Sequence, residues 1–184
     1  MRGGRVLVAV ASAAVLTGCV TVNQQQAGPG MMHGRGAGVV RSTCTPTLDP
    51  GATVAVMLGD GRMLRRMHRS SAVLRVMPAS VPEGSVTLVA RNLGLRTHEL
   101  VVLPLAPGAS VGERPQGADG SVDETGSLGE ASAPCAEGAG DGLPSGAVGW
   151  VTLDLPAGRY EVVCNLPHHY AAGMADELVV TGAR

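Results

Sequence analysis

Seven runs of five to seven residues leave this chain little choice of architecture: Thr53 to Leu58, Val73 to Met77, Val86 to Arg91, Glu99 to Leu103, Val148 to Asp154, Arg159 to Cys164 and Asp176 to Thr181. They are built mostly from Val, Leu and Thr, which suit a pleated, half-buried surface. Glycine or proline signals such as Pro82-Glu83-Gly84 and Pro156-Ala157-Gly158 separate them. No helix-length amphipathic pattern interrupts the runs, and no segment repeats. Strands this short are stable only in layers, so residues 51–184 are expected to form an all-β domain, a β-sandwich with one long irregular connection. Its core has to be aliphatic, because the 184 residues include one Trp, two Tyr and no Phe. Trp150 and Tyr160 are expected on neighbouring strands within it. An apolar content of 45% against 16% charged residues suits one packed domain rather than a disordered chain.

The segment 104–148 does not fit a minimal sandwich. It carries seven acids against Arg114 alone, and a connection of that length in a compact domain is usually functional or disordered. Opposite charge gathers at Arg62, Arg65, Arg66, Arg69 and Arg75. All fourteen basic residues are Arg, and the formal net charge is −1. A nucleic-acid binder is normally basic, so that class is excluded.

Residues 1–18 read as an export leader. Arg2 and Arg5 precede an apolar run, Val6 to Leu16, that is too short to span a bilayer. Leu16-Thr17-Gly18-Cys19 resembles the lipobox of bacterial lipoproteins, which implies that Cys19 carries lipid and anchors the protein at the outer side of the cell membrane. Residues 19–50, rich in Gln, Gly, Pro and Thr, read as a flexible tether.

Chemistry concentrates in Cys164-Asn165-Leu166-Pro167-His168-His169-Tyr170-Ala171-Ala172-Gly173-Met174, between the last two predicted strands. Thiolate, imidazole and thioether are the soft-to-borderline donors that suit copper, and two His with one Cys and a weak axial Met make a blue-copper site. The spacing Cys-x4-His-x4-Met puts three donors on one loop. A fourth has to come from elsewhere, and His98 stands where a loop enters a strand.

In this loop the chain resembles the cupredoxins, and among them the sulfocyanin and rusticyanin type. The resemblance covers roughly residues 51–181. It implies a Greek-key sandwich holding one type 1 copper per chain, with His98, Cys164, His169 and Met174 as ligands. It also implies one-electron transfer rather than enzymatic turnover. Two positions depart from the pattern: His168 stands where Gly is common, and Glu99 stands where many small cupredoxins carry a polar residue that bonds into the ligand loop. A carboxylate there tends to stabilise Cu(II). With Cys19 assigned to lipid and Cys164 to copper, Cys44 and Cys135 are expected to form a disulfide.

The resulting expectation is a monomeric, lipid-anchored carrier that exchanges electrons with redox proteins of the cell envelope. The alternative is a lipoprotein that sequesters or delivers copper, recruiting Met31, Met32 and His33 of the tether and the looser set Met57, Met63, Met67 and His68. No His-x-His pattern, Ser-His-Asp set or phosphate loop points to an enzyme.

Overall fold

In a computed structural model, residues 44–46, 48, 50–60 and 72–182 are described. The leader, Cys19, most of the tether with Met31, Met32 and His33, and the group Arg62, Met63, Arg65, Arg66, Met67, His68 and Arg69 lie outside them.

Among the described residues there are nine strands and no helix: β1 (Ala52–Asp60), β2 (Ala72–Met77), β3 (Ser80–Pro82), β4 (Gly84–Asn92), β5 (Leu100–Pro104), β6 (Gly129–Ala131), β7 (Val148–Leu155), β8 (Gly158–Val163) and β9 (Ala175–Thr181). They form two sheets, in the orders β2-β1-β4-β7 and β3-β9-β8-β5-β6. β1 runs parallel to β4 and β3 parallel to β9, while the other paired strands are antiparallel.

Alternation along each strand decides what is inside. Val54, Val56 and Leu58 of β1 turn the same way and meet Leu74 and Val76 of β2 and Val86, Leu88 and Ala90 of β4. Leu100 and Val102 of β5, Tyr160 and Val162 of β8, and Leu178 and Val180 of β9 enter the same cluster from the other sheet. The two sheets therefore share one aliphatic core, which makes the chain a β-sandwich. Each buried Val or Leu contributes about 1.5–3 kcal/mol to it.

Three features differ from the sequence pattern. β3 and β6 have no counterpart there, because three residues are too few to show a period. Trp150 and Tyr160 are close in sequence but not in a sheet: Trp150 lies on β7 and Tyr160 on β8, and the intervening Pro156-Ala157-Gly158 turn carries the chain from one sheet to the other. Tyr160 is buried, whereas Trp150 is half-buried.

The third difference concerns the long connection. β5 is apolar on both faces, and its outward Val101 and Leu103, with Val163 of β8, build a second cluster with Val122 of the connection and Tyr170. The connection also contributes β6, which pairs with β5, and a bridge between Leu143 and His98. A disulfide between Cys44 and Cys135, 91 residues apart, ties the segment before β1 to it.

Candidate metal centre

The loop 164–174 connects β8 to β9 in the second sheet. Cys164 N donates to Met174 O at 3.0 Å, which brings the ends of the loop together. Between them the chain winds tightly: His169 N donates to Leu166 O, Ala172 N to His168 O and His169 O, Gly173 N to Tyr170 O, and Met174 N to His169 O. Gly173 takes a φ of 90°, which suits a residue without Cβ. The winding turns His169 back over the end of β8, so its Nδ1 stands 3.2 Å from Cys164 Sγ.

His98 reaches the same point from the bend that follows β4. Asn92, 1% exposed, donates from Nδ2 to Arg96 O and Leu143 O and accepts at Oδ1 from Gly94 N, so one buried amide stitches the bend together. Asp60 caps the bend from outside by accepting from Leu95 N and Arg96 N. A Cβ on Gly94 would lie 2.3 Å from the Asp60 carboxylate, so only glycine fits there. Two backbone bonds with Leu143 then fix His98, N to O at 3.1 Å and O from N at 2.6 Å.

The result is a compact set of three donors. His98 Nδ1 is 3.3 Å from His169 Nδ1 and 3.9 Å from Cys164 Sγ, and the two rings tilt by 48° with centroids 4.9 Å apart. Two nitrogens bound at about 2.0 Å and a sulfur at about 2.3 Å to one ion stand about 3.3–3.8 Å apart. The observed separations of 3.2, 3.3 and 3.9 Å lie close to that triangle. Among the described residues no other group of His, Cys, Asp and Glu has this proximity. His98 Nε2 is buried without a hydrogen-bond partner, so the ring presents its chemistry to the cluster through Nδ1. Met174 is fully buried in the same apolar cluster as Cys164. His168, by contrast, is exposed.

The chain matches no protein-family model, and no curated protein matches it. Among solved structures it is similar to reduced rusticyanin, with 23% identity over 71% of this chain and 81% of that chain and a TM-score of 0.44. Auracyanin B is similar at 22% identity over 77% of this chain and 96% of that one, with a TM-score of 0.46. An auracyanin from Roseiflexus castenholzii is similar at 20% identity over 71% and 99%, with a TM-score of 0.44. At such distances the chemistry of the centre has to come from its own residues.

Electrostatics prepare those residues for a soft ion. Burial first, and His169 second, push His98 down to about 4, and burial also lowers His169. Both imidazoles are therefore neutral at pH 7 and keep a lone pair free. Burial pushes the Cys164 thiol up to about 12, against the backbone N–H of Glu99, which points at Sγ from 3.4 Å. Only a strongly bound cation displaces that proton at neutral pH, and thiolate then supplies the negative charge. Glu99 itself is pushed up to about 7 by burial, then by Glu124 and Glu130, and its Oε1 accepts from Asn165 N at 3.1 Å. The carboxyl thus bonds to the backbone just after Cys164.

His168 adopts a φ of 68°, a left-handed conformation that costs an ordinary residue about 1–2 kcal/mol. Replacing His168 with Gly is expected to stabilise the protein by about 0.5–1 kcal/mol. Thermal melts of the two proteins check this, and the spectrum of a bound metal should stay the same.

Proposed function

We propose that the chain is a cupredoxin-type blue-copper protein that transfers single electrons. The observation that supports this reading is the convergence of two neutral imidazole Nδ1 atoms and one thiol sulfur at 3.2–3.9 Å from one another, in a buried setting. Two nitrogens and one thiolate are a donor set that suits copper, and bound copper supplies a one-electron couple.

His98, Cys164 and His169 hold the ion, and Met174 provides a weak fourth donor. The apolar surroundings of Cys164 and Met174 exclude water, so the donors have no competitor at the site. His98 is locked by Asn92 and Leu143, and Cys164 by its bond to Met174 O, which would hold these donors in place when the oxidation state of a bound ion changes. His169 is only half-buried, so its ring offers the shortest way from the site to a partner. The protein is a monomer anchored by lipid on Cys19 at the outer side of the membrane, with redox proteins of the cell envelope as partners. Residues 1–18 serve as leader and 19–50 as tether.

Titrating the leader-free protein with Cu(II) tests this. One equivalent should give an intense visible thiolate-to-copper band, a paramagnetic resonance signal and a reversible one-electron wave. Colourless uptake of several Cu(I) ions would instead establish copper storage or delivery.

A further inference from the structure

The long connection is bound to the ligand loop at three successive points. Arg114 N donates to Tyr170 Oη at 3.0 Å. His168 N donates to Asp119 O at 2.7 Å. Val122 N donates to Asn165 Oδ1 at 2.7 Å, and Asn165 Nδ2 returns a bond to Val122 O at 2.9 Å. As the connection advances from 114 to 122, its partners on the ligand loop recede from 170 to 165, so the two segments lie antiparallel along the loop.

The first point is the most heavily built. Glu161, 0% exposed, projects from the outer face of β8. Its Oε1 accepts from Tyr170 Oη at 2.9 Å and from Gly112 N at 2.7 Å, and its Oε2 accepts from Arg114 Nε at 2.5 Å. Arg114 also donates through Nη2 to Pro104 O. Tyr170 is the residue after His169, and its ring is buried with Val122, Val101, Leu103 and Val163. The phenol uses its one proton toward the carboxylate and a lone pair toward the Arg114 N–H, so its position is set from both sides.

We infer that residues 112–124 are a brace that holds the ligand loop in its metal-binding shape, with Tyr170, beside His169, as the positioning residue. Which ion is held rests on the reading above; that the loop is held does not. Ordering a residue costs conformational entropy, and a loop braced during folding does not meet that cost again when the ion binds.

Tyr170→Phe tests the inference, because it keeps the ring in its apolar cluster and removes only the hydroxyl. In the metal-free protein, the amides of His169, Ala172, Gly173 and Met174 should exchange with solvent about tenfold faster, since a buried hydrogen bond that holds the loop is lost. Amides of β4 and β7 should not change. In the copper-loaded protein, transfer of the ion to a chelator should be about tenfold faster, and the visible band should shift. The inference is overturned if loop exchange is unaltered, if loop and sheet amides accelerate together, or if ion release and the band are unaffected. Should the unsubstituted protein take up no copper, the copper reading fails, and the exchange measurement still decides whether the brace exists.

Discussion

Cys164→Ser is expected to abolish the visible band completely while leaving the metal-free sandwich folded. Cys164 is fully buried in the main core, its backbone N–H is bound to Met174 O, and its sulfur faces both imidazoles. Serine keeps the backbone bond but offers a shorter, harder oxygen donor whose proton is far more difficult to displace. The charge-transfer transition needs a thiolate, so no rearrangement of the remaining donors restores it. The fold loses less. A hydroxyl in place of a buried thiol costs about 1–3 kcal/mol when poorly bonded, and here the backbone N–H of Glu99 and the ring nitrogens are within reach. Cu(II) titrations followed by visible absorption, beside thermal melts of the metal-free proteins, give both numbers. A band that survives the substitution would remove Cys164 from the centre and with it the electron-transfer reading.

What the sequence shows of this centre follows from how local each part is. Cys164 and His169 are legible because one loop carries them, at regular spacing with Met174, between two strands. His98 is legible only as a histidine where a loop meets a strand; nothing in its neighbours states that Asn92 and Leu143 fix it. Asn92-Leu93-Gly94 is a turn signal, and it could have singled out Asn92 as the residue that bonds the bend. The part played by Asp60 is hidden, since it lies 35 residues from the amide it caps. The sheets follow the same rule. Alternation in β1 announces an inward face, whereas the unbroken apolar run Leu100-Val101-Val102-Leu103 in β5 signals that something covers its outer side without naming the cover. That cover is the acidic connection, in whose charged sequence Val122 is a single apolar residue with no period to mark it. Trp150 and Tyr160 look like neighbours because sequence distance says nothing about which sheet a turn enters.

The largest stability change should come from Arg114→Ala, at a residue whose charge alone marks it as an exception in an acidic segment. Its side chain is one-quarter exposed, but the Glu161 side chain that it bonds has no exposure at all. A surface ion pair contributes little because water replaces either partner cheaply. This pair differs, since removing Arg114 leaves a carboxylate among Val101, Leu103 and Val163 with only Gly112 N and Tyr170 Oη as donors. Breaking a buried pair from one side costs about 3–5 kcal/mol. For a domain of this size that corresponds to a fall in Tm of about 10–20 °C. Combining Arg114→Met with Glu161→Gln removes both charges and keeps a side-chain oxygen for Gly112 N and Tyr170 Oη. The double variant should therefore recover about half or more of the loss. Urea unfolding of the three proteins with the Cys44–Cys135 disulfide intact measures the loss and the recovery. If Arg114→Ala costs less than about 1 kcal/mol, as a surface pair does, then water reaches Glu161 in the folded protein and the outer cluster does not seal the face of β8.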